Sequence, residues 1–305
     1  MVRMCHVLRK VCYSIKFIKQ DKVNRFCERM IRRYYSLVKR NASGLNQKKN
    51  RKRELIVSLT TIPSRIDSVY LTVESVLRQT YKPDKIILWL AKDEFRNAVL
   101  PDSLLEQRKR GLEIRYCDNL RSHKKYYETM KRFPEALLVT IDDDIYYSEH
   151  LLENLVHAYT HHPNAVVCSR AHLIKHKVTG EPYPYNGWIF YSKWCKFFSK
   201  VKESEHESLF FTSGAGTLIP IWKMPRICLD KKLSGILCPT ADDVWLNYMV
   251  RLAKLKVMQL KSSDGWYVYR EEAQNLSLSM VNLSRNGDNN DVQLTRMQKY
   301  FGFYI

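Results

Sequence analysis

The chain reads Leu137-Leu-Val-Thr-Ile-Asp-Asp-Asp-Ile-Tyr-Tyr147 where an apolar run meets three consecutive carboxylates. The run from Leu137 to Ile141 is apolar or β-branched, and a new helical pattern begins soon after it, so it predicts a short strand. A strand that is apolar on both faces is typical of a parallel sheet covered by helices. The stretch therefore predicts an α/β fold with this strand in its interior.

The three carboxylates that follow the strand predict a binding site. In open α/β sheets ligands bind outside the carboxyl ends of the strands, where Asp142, Asp143 and Asp144 are expected to lie. Adjacent carboxylates repel one another, and a hard cation such as Mg²⁺ or Mn²⁺ relieves that repulsion by binding their oxygens. The alternative is a solvated acidic turn that caps the next helix, a role that needs one Asp and that Ser148 could fill.

Strands and helices alternate on both sides of this stretch. The predicted strands are residues 55–59, 85–90, 112–117, 137–141 and 165–168, and the predicted helices are about 66–79, 104–110, 122–132, 149–161 and 240–254. Such alternation predicts a mostly parallel, doubly wound sheet with helices on both faces. The length of 305 residues allows one large domain, placed at 54–260, after a basic amphipathic segment (1–40) and a linker (41–53). Residues 261–305 form a C-terminal extension to which the sequence assigns no chemistry.

The strong positive charge is confined to the N-terminal segment. The net charge is +20, but residues 1–53 hold 17 of the Lys and Arg residues and only two acids, Asp21 and Glu28. The remaining 252 residues have a net charge of +5. A body this close to neutral, with no recognised nucleic-acid-binding motif, predicts no specific nucleic-acid partner.

Residues 4–38 carry apolar side chains at spacings of three and four, with Lys and Arg between them. This pattern predicts a basic amphipathic helix, which would bind an anionic membrane surface or, alternatively, pack on the body of the protein. No apolar run is long enough to span a bilayer, and no signal peptide is evident. The eight cysteines include no CxxC pair, which argues against a zinc site and favours a reducing compartment. We therefore expect a cytoplasmic protein that is peripheral on the inner face of the membrane.

A second pair of acids, Asp242 and Asp243, lies at the start of a predicted helix. Thr240 is a candidate N-cap with Asp243 in a capping-box-like position, which explains one acid but not the pair. The pair suits a general base that deprotonates an attacking hydroxyl. Lys124 and Lys125, near the start of the helix after the third strand, could contact phosphates or could be ordinary surface residues, since a helix start usually disfavours cations.

Two further stretches bear on substrate binding. Gly214 and Gly216 bring small residues together, which allows either a close approach of the backbone to a ligand or a tight turn. Residues 183–198 are rich in aromatic side chains, Trp188 among them, and would form either core or an apolar platform for a sugar ring.

These segments, in this order, resemble a GT-A-fold (Rossmann-like) glycosyltransferase of the family-2-like type. More narrowly, they resemble the bacterial enzymes of cell-surface polysaccharide assembly. The segments that carry the resemblance are residues 57–65, 74–83, 141–144, 214–216 and 241–245. The resemblance covers about residues 54–260, and the order and spacing of the motifs make it more specific than any one motif.

The resemblance implies a nucleotide-sugar donor and the transfer of one sugar, with inversion, to a hydroxyl of a glycan or lipid-linked acceptor. It implies that Thr61, Pro63 and Arg65 contact the nucleotide. We also expect Asp118, Lys124 and Asp143 to bind the donor, and Trp188, Gly214, Gly216 and Trp245 to bind the acceptor. It implies a DxD motif, here Asp142 and Asp144, that holds Mn²⁺ or Mg²⁺ on the diphosphate. It also implies a catalytic base, here Asp242 or Asp243. Residues 119–126 replace the glycine-rich turn and Ala-Arg-Asn of well-known members, which leaves the donor sugar and the nucleobase open.

A different enzyme class fits the same acids. A metal-dependent nucleotidyl- or phosphoryl-transferase would use both acid clusters to hold two cations. The position of Asp242 discriminates between the two classes, because a base lies across a substrate gap from the metal whereas a second ligand lies beside it.

Overall fold

The computed structural model describes residues 20–48, 50–188, 205–206, 208–261, 264, 267–270 and 289–305. Its helices are α1 (Gln20–Leu37), α2 (Tyr70–Leu77), α3 (Lys92–Phe95), α4 (Asp102–Lys109), α5 (Lys124–Arg132), α6 (Leu151–His161), α7 (Lys231–Leu237), α8 (Asp242–Leu252) and α9 (Asn290–Phe301). Its strands are β1 (Leu55–Thr60), β2 (Lys85–Ala91), β3 (Leu112–Cys117), β4 (Leu137–Ile141), β5 (Ile145–Tyr147), β6 (Ala165–Cys168), β7 (Ala171–Leu173), β8 (Glu205–His206), β9 (Leu209–Phe211), β10 (Ala215–Pro220), β11 (Lys256–Gln259) and β12 (Tyr267–Tyr269).

The central sheet has eight strands in the order β3-β2-β1-β4-β10-β6-β11-β8. Six of them run in one direction, whereas β10 is antiparallel to β4 and β6, and β8 is antiparallel to β11. The prediction of a mostly parallel α/β sheet is therefore confirmed. The carboxyl ends of β4 and β6 and the amino end of β10 lie at one edge of the sheet, and this edge carries both acid clusters.

Helices cover both faces of the sheet because side chains along each buried strand alternate between the faces. Leu55, Val57 and Leu59 of β1 pack in one apolar cluster with α2, α4 and α6. Ile56 packs on the other face, in a cluster with α5, α8 and α9. A strand buried on both faces favours apolar residues at most positions, as in β1, β2 and β4, where buried Ser58 and Thr140 donate hydrogen bonds to backbone carbonyls.

Strand β10 was not predicted from the sequence. Its register shifts between Ala215 and Thr217, and Gly216, which lies between them, has a φ of +97°. A Cβ at Gly216 would lie 2.9 Å from Leu151 Cδ2. Glycine therefore permits both the bulge and the close packing of α6, whereas a glycine inside an apolar run normally weakens a strand prediction.

The N-terminal helix α1 packs on the body of the protein. Cys27, Ile31 and Tyr35 are buried against Tyr146 and Val268. Residues 20–37 therefore pack on the body of the protein, which was the alternative to an apolar face embedded in a membrane. Residues 4–19 of the predicted helix lie outside the described residues. None of the described helices is long and apolar enough to cross a bilayer.

The segments predicted as a linker and a C-terminal extension also contact the body. In the first, the Gly44 N–H donates to the Arg110 carbonyl (2.8 Å) and Arg51 pairs with Asp84 (2.9 Å). In the second, β12 pairs with β5 and α9 packs against α8. Neither segment is structurally separate from the domain predicted at 54–260.

Candidate active site

The three consecutive acids, called the acid turn here (Asp142–Asp144), point to different sides of the sheet. Val139 and Ile141 of β4 face the α2 side, and Leu138 faces the α5 side. The Asp142 carboxylate lies on the α5 and α8 side, whereas the Asp143 carboxylate lies on the α2 side. The turn therefore supplies its acids to two separate sets of partners.

Lys125, in the first turn of α5, joins the two acid clusters. Its ammonium group lies 2.7 Å from Asp142 Oδ1 and 3.1 Å from Asp242 Oδ2, and its side chain is 4% exposed. Burial opposes the charged form, but Asp142, Asp242 and Asp243 outweigh it and raise the pKa of Lys125. One buried cation therefore bridges the strand that ends in the acid turn and the helix that begins with the second acid pair.

The second pair of acids is anchored by Ser213, just before β10. The Ser213 hydroxyl donates to Asp242 Oδ2 (2.6 Å), and the Ser213 backbone N–H donates to Asp243 Oδ1 (2.7 Å). The expected capping box does not form: α8 begins at Asp242 with Ala241 as its N-cap, and Thr240 instead accepts a hydrogen bond from Gln293 (2.8 Å). Asp243 is therefore not occupied by helix capping.

The two acids of this pair ionise differently. Burial opposes ionisation of Asp242, but the Lys125 ammonium, His123 and the Ser213 hydroxyl outweigh it and hold its pKa below the ordinary value. Burial and the Asp242 charge raise the pKa of Asp243 to about 6. Asp243 is partly buried, whereas Asp242 is 6% exposed. Asp243 is thus the acid of the pair that more readily accepts a proton near neutral pH.

Asp143 is bound by the loop after β1. It accepts hydrogen bonds from Thr61 Oγ1 (2.5 Å) and Arg65 Nη1 (2.7 Å), and all three side chains are buried. Pro63 starts the short 3₁₀ turn Pro63–Arg65 that carries Arg65 to this position. The structure therefore brings four of the predicted donor-binding residues together, but three of them are bonded to one another.

The surroundings of Asp144 oppose its ionisation. Burial, followed by the charges of Asp142 and Asp143, raises its pKa to about 7. Arg65 Nη1 lies 3.7 Å from Asp144 Oδ2. The Arg170 charge also acts on Asp144, although the guanidinium itself donates to Thr212 Oγ1 (2.6 Å) and to Tyr269 Oη. An additional cation at the acid turn would favour the charged form of Asp144.

Gly214 makes room for the Asp142 carboxylate. A Cβ at position 214 would lie 1.5 Å from Asp142 Oδ2 and 2.1 Å from Asp142 Cγ. The Asp142 backbone N–H donates to the Gly214 carbonyl (3.0 Å), and Tyr147 Oη donates to the same carbonyl. Of the four predicted acceptor-binding residues, Gly214 lies beside the acids, whereas Gly216 lies at the bulge of β10.

Both tryptophans that were predicted to bind an acceptor are in the core. Trp188 is fully buried, packs on Tyr185 and Phe210, and donates from its indole to the Tyr183 carbonyl (2.6 Å). Trp245 is also fully buried and donates to the Cys228 carbonyl (3.1 Å). Aromatic side chains bury large apolar areas, and this accounts for both positions. Neither ring presents a face to an acceptor, and for Trp188 the core alternative applies.

The remaining predicted donor residues lie beyond the end of β3. Asp118 is exposed and lies 3.4 Å from Lys231 and 3.9 Å from Lys92. Lys124 is 1% exposed and lies 3.3 Å from Asn119 Oδ1 and 3.6 Å from Glu94. Both are at the carboxyl edge of the sheet, but neither contacts the acid turn in the hydrogen bonds and ion pairs of the described residues.

Several residues at the site were not among the sequence predictions. They are Ser213, Tyr147, Arg170, Tyr269 and Arg270. Lys125 was expected either to contact phosphates or to be a surface residue, whereas the structure has it buried between two carboxylates. No signal existed for Tyr269 and Arg270, which come from a segment without apolar periodicity.

The residues fit a hard cation that takes part of its ligands from a substrate. Asp142 is 39% exposed and its carboxylate fills the space left by Gly214, whereas burial and the two neighbouring acids oppose the charge of Asp144. Among the described residues there is no group of three or more His, Cys, Asp or Glu side chains arranged to hold a metal by themselves. One or two carboxylates plus substrate phosphates is the usual set for Mg²⁺, so Asp142 and Asp144 suffice.

No protein-family model and no curated protein matches this chain. Among solved structures, it is similar to S. aureus TarS 1-349 in complex with UDP, at 13% identity and a TM-score of 0.44, over 82% of this chain and 72% of TarS 1-349. It is also similar to the mannosyltransferase PcManGT from Pyrobaculum calidifontis in complex with GDP-Man and Mn²⁺. That match has 11% identity and a TM-score of 0.45, over 98% of this chain and 81% of PcManGT. Likenesses this distant carry no functional argument.

Proposed function

We propose that the protein is a metal-dependent glycosyltransferase with a GT-A catalytic domain. It would move one sugar from a nucleotide-sugar donor to a hydroxyl of a glycan or lipid-linked acceptor, with inversion. The observation that supports this most is the bridge from Asp142 through Lys125 to Asp242. The bridge joins Asp142, the proposed metal ligand, to the acid pair proposed for proton transfer, at the carboxyl edge of the sheet where α/β enzymes bind ligands.

In this proposal each acid has a separate role. Asp142 and Asp144 would hold Mn²⁺ or Mg²⁺, which would neutralise charge on the leaving diphosphate. Thr61, Pro63, Arg65, Asp118, Lys124 and Asp143 remain the proposed donor-binding residues. Asp143 would hold the donor-binding loop in place rather than contact the donor itself, because its carboxylate already accepts hydrogen bonds from Thr61 and Arg65.

Asp243 is the better candidate for the base. In a single displacement the acceptor oxygen bonds to the anomeric carbon, the bond to the diphosphate breaks, and the acceptor proton passes to a carboxylate. A base works best when its pKa is near the operating pH, and burial raises the pKa of Asp243 to about 6. Asp242 accepts from both Lys125 and Ser213, so we assign it the role of holding these groups in place.

The position of Lys125 argues against the rival class. A two-cation phosphoryl transferase needs a second metal between the acid clusters, about 4 Å from the first. The buried Lys125 ammonium contacts a carboxylate of each cluster. A second metal bound between the clusters would have to displace this fixed cation.

Contact with an anionic membrane would use the outer face of α1 rather than its apolar face. Lys22, Arg25, Arg29 and Arg33 are exposed along this face, and Leu37 at its end is 69% exposed. We propose that this face binds anionic lipid at the inner face of the membrane, where lipid-linked acceptors lie. Flotation with phosphatidylserine vesicles should weaken when Arg25, Arg29 and Arg33 are replaced by Gln, and equal flotation of both proteins would contradict the proposal. Substitution is preferable to deletion of residues 1–40, because α1 contributes to the core.

Thermal shift against nucleotides and nucleotide sugars tests the main proposal. Each ligand is measured with Mn²⁺ and with chelator. Stabilisation by one nucleotide sugar that chelator abolishes would support the transferase and identify the donor. Stabilisation by metal alone, with no response to any nucleotide, would favour the phosphoryl-transfer class instead.

A further inference from the structure

The backbone of the acid turn is held from behind by the strand β12 and the residue that follows it. Arg270 Nη1 donates to the Asp143 carbonyl (2.7 Å), and the Arg270 backbone N–H donates to the Asp144 carbonyl (2.8 Å). The hydroxyl of Thr72, in α2, donates to the same Asp143 carbonyl (2.8 Å). β12 is antiparallel to β5, which continues directly from the turn. The carbonyls of Asp143 and Asp144 are therefore fixed by donors from outside the turn.

Stability alone does not explain Arg270 at this position. Its side chain is 0% exposed, and within the described part of the chain its Nε and Nη2 atoms have no hydrogen-bond partner. An unsatisfied buried polar group costs about 1–3 kcal/mol, and more when the group is charged. An apolar side chain of similar length would avoid that cost. What the apolar side chain could not do is bond the Asp143 carbonyl.

The N-terminal helix holds β12 in turn. Asn24 Nδ2 donates to the Tyr269 carbonyl (2.8 Å), and the Tyr269 N–H donates to Asn24 Oδ1 (3.2 Å). The Asn24 amide thus pairs with both the N–H and the carbonyl of Tyr269. These two groups lie on the edge of β12 away from β5, so Asn24 takes the place that a further strand would have. Cys27 and Ile31 of α1 pack in the same cluster as Val268 of β12.

From these contacts we infer that Arg270 is a positioning residue of the acid turn and that Asn24 anchors the strand that carries it. The inference rests on the proposed function in that the turn is the one assigned to the metal. It gives Asn24 of the N-terminal helix and Arg270 after β12 a part in positioning the acid turn, although neither would touch the substrate.

The test compares Arg270→Met with the wild-type protein in three measurements. The Tm reports stability, hydrogen exchange of a peptide covering residues 142–148 without metal reports the turn, and EPR of free Mn²⁺ reports metal affinity. We expect the Tm of Arg270→Met to be equal to or higher than that of the wild type. We expect exchange in the turn to be about tenfold faster and Mn²⁺ binding about tenfold weaker, because the Asp143 carbonyl loses a charge-assisted donor.

Further variants keep the inference testable if Arg270→Met does not fold. Thr72→Val removes the other donor to the same carbonyl with little change in shape and should move exchange and Mn²⁺ affinity in the same direction. Arg270→Lys should restore part of both. Asn24→Ala should speed exchange in β12 and the turn, whereas the exposed neighbour Lys22→Ala, its matched control, should not.

The outcomes separate the inference from the proposed function. Unchanged exchange in the turn of a folded Arg270→Met or Thr72→Val protein would overturn the positioning role. If the wild-type protein binds neither Mn²⁺ nor any nucleotide, the proposed function fails, and the exchange data still decide whether Arg270 positions the turn.

Discussion

Gly214→Ala should displace the Asp142 carboxylate while leaving the fold intact. The new methyl group would lie 1.5 Å from Oδ2, 2.6 Å from Oδ1 and 2.1 Å from Cγ of Asp142, whereas real Cβ contacts stay above 3.0 Å. Because Cγ itself is too close, rotation of the carboxylate about its own bond cannot relieve the contact. Asp142 must change its χ1 rotamer and leave Lys125, from which it is now separated by 2.7 Å.

The magnitude follows from the interactions that the movement breaks. A hydrogen bond between charged groups contributes about 1.5–3 kcal/mol, which corresponds to a factor of roughly 10 to 100 in affinity. A displacement of about 1 Å at a reacting group can lower the rate about 100-fold. We therefore expect Mn²⁺-dependent nucleotide affinity to fall at least about tenfold and kcat/KM to fall about 100-fold. The Tm should change by only a few degrees, since Asp142 is 39% exposed and can turn towards solvent.

The assay uses the nucleotide sugar that stabilises the wild-type protein in the thermal-shift panel. Turnover, Mn²⁺-dependent nucleotide affinity and Tm are measured for wild type, Gly214→Ala and Gly235→Ala. Gly235 lies in α7, and a methyl group added there would have open space within 4 Å, so its substitution should stabilise the helix by about 0.5–1 kcal/mol and leave activity unchanged. A Gly214→Ala protein with turnover and affinity within about threefold of wild type would refute the placement of Asp142 at the reacting end of the donor.

Three further substitutions test the acids and the lysine. Asp144→Ala should abolish Mn²⁺-dependent nucleotide binding, measured by calorimetry, because the metal loses a proposed ligand; unaltered binding would remove Asp144 from the site. Asp243→Asn should spare donor binding and lower turnover by a factor of about 10²–10⁴. The same variant should also have a higher Tm than the wild type above about pH 6, and this difference should vanish near pH 4. The reason is that the fold raises the pKa of Asp243 to about 6, so ionisation of Asp243 destabilises the wild type as the pH rises from about 4 to 6. Lys125→Met should lower the stability to urea by about 3–5 kcal/mol, since it leaves buried Asp242 without its cation, and a loss below about 1 kcal/mol would contradict the bridge.

Much of the sheet follows from periodicity alone. Strands β3, β4 and β6 begin and end at the predicted residues. β4 and β6 are short apolar runs, and β3 alternates apolar and polar residues. β10 was missed because Gly216 interrupts its pattern, and β12 because three residues of a polar segment do not establish a period. The sequence therefore predicts the strands whose pattern is regular over four or more residues and misses those that are short or interrupted.

The sequence predicted the position of the candidate site more accurately than it predicted the role of each residue in the site. The acids were expected at the carboxyl edge, and the structure has them there. Their separate partners follow from the alternation of side chains between the two faces of the sheet: Asp142 faces α5 and Asp143 faces the α2 side. Three consecutive Asp residues in a sequence do not reveal this difference. The same limit applies to Trp188 and Trp245, since an aromatic residue looks the same in a sequence whether its ring is in the core or on a binding surface.

The contact between Asn24 and Tyr269 joins residues 245 positions apart in the chain. Such a contact cannot form until almost the whole polypeptide has left the ribosome, and closing so long a loop is entropically costly. A nascent chain that already contains every acid of the site would still lack the support of Arg270 behind the acid turn. Transfer activity should therefore appear only with the last tenth or so of synthesis, and a chain that ends before residue 267 should be inert even though all of its proposed catalytic groups are present.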